Sequence, residues 1–132
     1  MINLSNRPTH TWPAEMIQAA IAEDRQTEIP WFPFPEVGPD WSNERILAVA
    51  AAVVADIVRY NDEVGRDQEF LWHRHHRVYV EGDPVMAAVL VAKLQQAGFE
   101  CVALRDPRAP ADGQGGFPGF RTWPRLKMED WW

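Results

Sequence analysis

Four side chains able to bind or move charge follow the first apolar run of this chain. They are Ser5, Asn6, Arg7 and His10, within Ile2-Asn3-Leu4-Ser5-Asn6-Arg7-Pro8-Thr9-His10-Thr11-Trp12-Pro13. Arginine offers a fork of N–H donors that matches a phosphate. Histidine can give or take a proton near neutral pH. Backbone N–H groups at the start of the following helix favour an anion. The plainer reading is that Ser5, Asn6 and Thr11 cap that helix and satisfy the turn. Both readings stay open at this point.

A second passage of the same kind is Val78-Tyr79-Val80-Glu81-Gly82-Asp83-Pro84. Gly82 would let a ligand approach the backbone, and the helix start beyond it favours negative charge. Asp83 works against a phosphate unless it caps that helix or binds a ribose hydroxyl. In an alternating α/β protein, ligands sit beyond the carboxyl ends of the strands. Two such turns, in one parallel sheet, would line a single crevice. Arg105 and Arg108 follow the last long strand and could clamp a ligand phosphate at the same edge.

Other chemistries find less support. Trp72-His73-Arg74-His75-His76-Arg77 holds three histidines in four residues. Neighbours on an extended chain point to opposite faces, and no cysteine or carboxylate pair is spaced to complete a tetrahedral set. The run reads as a solvated, positively charged loop, with a metal-dependent hydrolase as a rival; no metal and no cofactor are expected. Neither G-x-G-x-x-G nor G-x-x-x-x-G-K-[ST] is present. Cys101 lies inside an apolar strand pattern without a nucleophile elbow.

Composition narrows the class. A chain of 132 residues, 46% hydrophobic and 24% charged, suits one soluble α/β domain spanning 1–132. A net charge of −6 argues against duplex DNA as a partner. The single cysteine makes an internal disulfide impossible and points to the cytoplasm. No apolar run approaches the ~20 residues that span a bilayer. The seven tryptophans read mainly as core and interface residues, and Trp131-Trp132 as a tail docked on its own domain or on a partner.

The elements that must position these residues alternate. Met1 to Leu4 reads as a strand, and a helix follows Pro13, with Met16, Ile17, Ala20 and Ile21 at helical spacing. A short strand lies within Glu28–Phe34, broken by prolines. A mostly buried helix covers Ile46 to Tyr60, and Asn61 to His76 reads as a polar loop with room for a short helical turn. Arg77 to Glu81 is a strand. Asp83 and Pro84 open a helix over Val85–Ala97 that Gly98 closes. Glu100 to Leu104 is a strand, Arg105 to Pro118 a lid-like loop, and Gly119 to Trp123 a last strand, antiparallel at the edge. This order implies right-handed crossovers and a three-layer, mainly parallel sheet of four or five strands.

Leu4-Ser5-Asn6-Arg7-Pro8-Thr9 followed by Trp12 resembles the first-strand pattern of a family of small bacterial α/β proteins. Phe32-Pro33-Phe34-Pro35-Glu36-Val37, Val78-Tyr79-Val80-Glu81-Gly82-Asp83, Val89 to Leu94, Gly98 to Ala103 and Phe120-Arg121 continue the likeness. The family is that of the stand-alone proteins beside type III CRISPR systems, some of them ring nucleases with a Rossmann-like, CARF-type sheet. The resemblance implies a homodimer that binds a cyclic oligoadenylate in antiviral defence, and metal-independent cleavage by attack of a ribose 2′-hydroxyl on the neighbouring phosphate. Arg7 stands where that family carries histidine, and Gly82-Asp83 replaces glycine-glutamate. Leu104 to Arg108 replaces a threonine-rich turn, keeping only the final arginine. His10 is then the candidate proton donor. Arg7 would hold phosphate and act beside His10, while Ser5, Asn6, Gly82, Asp83, Arg105 and Arg108 contact the ligand. The competing expectation is a non-catalytic interaction module that uses its tryptophan-rich surface and tail.

Overall fold

The computed structural model describes residues 1–67, 74–106 and 116–126. His73, Arg108, most of the expected lid and the Trp131-Trp132 tail lie outside the described residues.

Five strands form one sheet: β1 (Ile2–Ser5), β2 (Trp31–Pro33), β3 (Arg77–Val80), β4 (Glu100–Leu104) and β5 (Phe120–Thr122). Their spatial order is β2-β1-β3-β4-β5. The first four run parallel and β5 pairs antiparallel with β4. Among the described residues three α-helices connect them: α1 (Ala14–Asp24), α2 (Asn43–Asp67) and α3 (Pro84–Gln96). The architecture is α/β and compatible with a Rossmann-like layout. No helix among the described residues is long and apolar enough to cross a membrane.

Alternation along the strands divides the core. Ile2, Leu4, Val78, Val80 and Cys101 face Ala50, Val54 and Ile57 of α2 and Leu90, Val91 and Leu94 of α3. Met1, Tyr79 and Val102 face the other way, against Trp12 and against Met16 and Ala20 of α1. Edge-to-face aromatic pairs cross that second face, from Trp12 to Tyr79 to Phe120 to Phe117, with centroids 5.2, 5.9 and 4.9 Å apart.

Capping residues end α3 as expected. Asp83 Oδ1 accepts the Met86 N–H at 3.0 Å, and Pro84 opens the helix. At the other end Gly98 adopts φ +99°. Its N–H reaches Gln95 O and the Phe99 N–H reaches Leu94 O, both at 3.0 Å. That pair of bonds is a Schellman closure.

Three readings of the sequence need correction. The helix over Ile46 to Tyr60 is not mostly buried but two-sided: Ala50, Val54 and Ile57 face the core, while Leu47, Ala48, Ala51, Ala52 and Ala55 are exposed, small residues having hidden its polarity in the sequence. Asn61 to His76 is not a loop throughout, because α2 runs on to Asp67. The polar Asn61 is buried on this helix, where its side chain bonds the His75 N–H at 2.8 Å and the His75 carbonyl at 3.0 Å. An amide thus serves His75 as a strand neighbour would. Nor is the histidine run simply solvated. His75 is buried with Nδ1 3.1 Å from the Met1 amino group and 3.5 Å from Asp24, while His76 is exposed.

Candidate functional site

The chain passes from β1 outward to β2, then crosses back over β1 to β3. The strand order therefore reverses between β1 and β3. In open α/β sheets this is where a crevice opens beyond the carboxyl ends. Register places Leu4 opposite Val80, so the turns after both strands emerge side by side. The two passages singled out in the sequence do share one edge.

The first turn is built on a buried polar net. Asn3 and Ser5 point to the α1 face and are fully buried. Ser5 Oγ donates to Asn3 Oδ1 at 2.6 Å, and the Arg7 N–H donates back to Ser5 Oγ at 3.2 Å. Asn3 Nδ2 donates to the Arg7 carbonyl at 2.8 Å and to Thr9 Oγ1 at 3.1 Å. Thr9 Oγ1 in turn donates to the Ile29 carbonyl at 3.0 Å. These bonds satisfy the turn, as the plainer reading expects, but Ser5 caps no helix. Buried polar groups that satisfy one another hold the turn in one shape.

That shape aims Arg7 across the switch point. Its Nη2 donates to Glu81 Oε2 at 2.7 Å and to the Tyr79 hydroxyl at 3.1 Å. The Tyr79 hydroxyl also donates to Glu81 Oε2. Burial and the neighbouring Glu81 carboxylate push the Tyr79 phenol well above its usual range. Tyr79 is therefore a neutral donor. Burial opposes the Arg7 charge, but the ion pair with Glu81 outweighs it and raises the guanidinium pKa. Arg7 Nε is buried and has no hydrogen-bond partner among the described residues.

Beside this triad lies a crevice of about 230 Å³. Leu104, Ala103, Ala87, Pro84 and Trp123 give it apolar walls, and Glu81 is the one charged residue in its described lining. Trp123 is placed there by its N–H bond to the Cys101 carbonyl at 2.8 Å. Gln95 holds the segment that follows, through the Pro124 carbonyl at 3.0 Å and the Leu126 N–H at 2.7 Å.

The expected residues divide between two roles. Gly82 lines the crevice, but a Cβ on it would stand 2.3 Å from Cδ1 of Phe34, so its bareness serves packing rather than ligand approach. Asp83 caps α3. Asn6 and His10 are exposed, His10 in a 3-10 turn over Thr9–Thr11. Arg105 is exposed just past β4, where its N–H bonds the Gly119 carbonyl at 2.8 Å. Cys101 is fully buried, and burial pushes its thiol up to about 12. It is no nucleophile. Among the described residues no group of three His, Cys, Asp or Glu could hold a metal.

Asn3, Tyr79, Glu81 and Trp123 escaped the sequence reading as site residues. Period-two alternation offers a signal for three of them, since Asn3, Tyr79 and Glu81 all fall on the face opposite Leu4 and Val80. Trp123 carries no such signal. Compared with protein-family models, curated proteins and solved structures, the chain matches none of them.

Proposed function

We propose that this protein binds a nucleotide-like ligand at the carboxyl edge, and that the ligand is a cyclic oligoadenylate bound by a homodimer. The observation that carries the reading is the apolar crevice between the ends of β3 and β4, next to the β1–β3 switch point and the Arg7–Glu81–Tyr79 triad. An apolar slot beside fixed polar groups suits a base with its sugar and phosphate attached. The stronger form of the proposal adds metal-independent cleavage. There the 2′-oxygen, releasing its proton to solvent, bonds to the in-line phosphorus as the bond from phosphorus to the 5′-oxygen breaks, leaving a 2′,3′-cyclic phosphate, and the exposed His10 gives its proton to the departing 5′-oxygen.

Incubation with cyclic tetra-adenylate and cyclic hexa-adenylate tests both forms. A rise in melting temperature with either ring supports binding, and linear products on chromatography support cleavage. No shift and no product with both rings would overturn the proposal.

A second reading rests on Trp31. It is 42% exposed, and its indole N–H is tied to the Ser5 carbonyl at 2.9 Å. An exposed, pinned aromatic surface suits a protein partner. On this reading Trp31→Ala or loss of Trp131-Trp132 breaks an assembly, and Arg7→Ala leaves it intact.

A further inference from the structure

We infer that Glu81 reads the ribose of the bound nucleotide, accepting a hydrogen bond from its 2′-hydroxyl, with Arg7 and Tyr79 as the residues that position the carboxylate. The inference rests on the nucleotide reading above and names the contact that selects the sugar.

Both bonds to this carboxylate end on the same oxygen. Arg7 Nη2 and the Tyr79 hydroxyl each donate to Oε2. Oε1 accepts no hydrogen bond from the described residues. The side chain is therefore held from one side and left able to accept on the other. It is 46% exposed and lines the crevice. A group in that position cannot greet a phosphate, because two anions would then face each other at close range. It must meet a donor.

A nucleotide offers two kinds of donor, sugar hydroxyls and base amines. The apolar walls formed by Ala87, Leu104 and Trp123 suit the base, while Glu81 stands at the half-exposed rim where the sugar leaves the slot. A carboxylate at the end of a parallel strand holding a ribose hydroxyl is a recurring solution in such sheets. Arg7 then acts indirectly. Its charge offsets that of Glu81, which weakens repulsion between the carboxylate and the phosphates further out.

The test compares cyclic tetra-adenylate with its 2′-deoxy counterpart by calorimetry, on the unaltered protein and on Glu81→Gln. The unaltered protein should bind the ribose ring at least about tenfold more tightly, as expected for one lost bond to a charged acceptor. Glu81→Gln can still accept from Arg7 and Tyr79, and the ratio should fall towards one. Equal affinity of the unaltered protein for both rings would overturn the inference and leave the nucleotide reading standing. So would a Glu81→Gln protein that keeps the ratio. Binding of neither ring to the unaltered protein would remove both readings. The first comparison needs no variant, so a misfolded Glu81→Gln protein does not protect the inference.

Discussion

Phe34 lies directly over Gly82: a Cβ on the glycine would come within 2.3 Å of ring carbon Cδ1 and 2.4 Å of Cε1. Phe34 is itself buried, at 3% exposure, in the core shared with α2 and α3. The ring has little room to retreat. Gly82→Ala should therefore destabilise the fold by roughly 1–3 kcal/mol, the usual cost of overpacking. Urea denaturation would measure it. A stability equal to that of the unaltered protein would show that the ring moves freely.

Arg7 joins segments 74 residues apart. Arg7→Gln should cost only about 0.5–1 kcal/mol of stability, because the pair with Glu81 is partly exposed and screened by water. Ligand affinity should fall more steeply, by roughly tenfold, since the Glu81 carboxylate then loses its counter-charge and an anchor. Parallel calorimetric and denaturation measurements separate the two effects. A loss of stability that matches the loss of affinity would make Arg7 a purely structural residue.

Asp83 is assigned to helix capping. Asp83→Ala should cost about 1 kcal/mol through loss of the bond to the Met86 N–H. Ring affinity should be unchanged at temperatures where the variant is folded. Asp83→Asn should restore most of the stability, since an amide oxygen also caps. A clear drop in affinity with Asp83→Asn would return Asp83 to the ligand site.

Asp24 governs acid stability. Its carboxyl is fully buried, 2.6 Å from the Met1 amino group, and accepts the His76 N–H at 3.2 Å on each oxygen. Burial raises its pKa, but His75, the amino group and the His76 N–H together outweigh burial and hold it well below the usual carboxylate range. The sign follows from linkage. The folded state binds this proton less readily than the unfolded chain, so the contribution is complete above about pH 4 and is lost as the pH falls further. Asp24→Asn should cost about 3 kcal/mol at neutral pH, because it strands buried charge. Its melting temperature should also fall less between pH 4 and lower pH than that of the unaltered protein. A parallel decline of the two curves would place the acid sensitivity elsewhere.

Cys101 offers a check on the reaction class. With the thiol raised to about 12 and fully buried, it should resist a disulfide reagent in the native protein and react at once in denaturant. Rapid labelling of the folded protein would reopen a cysteine mechanism.

Much of the frame was legible from residue order alone. Apolar runs bounded by Pro8 and by Gly82-Asp83-Pro84 mark strand ends, and Asp83, Pro84 and Gly98 bracket α3, because caps and turns are decided by neighbours within a few residues. The shared edge for residues near 7 and 82 also followed from parallel strands, whose carboxyl ends must lie together. The strand order β2-β1-β3-β4-β5 did not follow, nor did the persistence of α2 beyond Tyr60. The first depends on how whole layers pack. The second depends on Asn61 meeting His75, a contact that polarity along the chain does not announce. The same distinction separates Arg7 from Glu81. Residue type alone marks an arginine after a strand as a phosphate ligand. Only the three-dimensional arrangement turns that arginine onto Glu81 and Tyr79 and makes the carboxylate the group that faces the crevice. Local chemistry specifies where the chain turns, but the partner of a charged side chain is settled by which distant strand lies beside it.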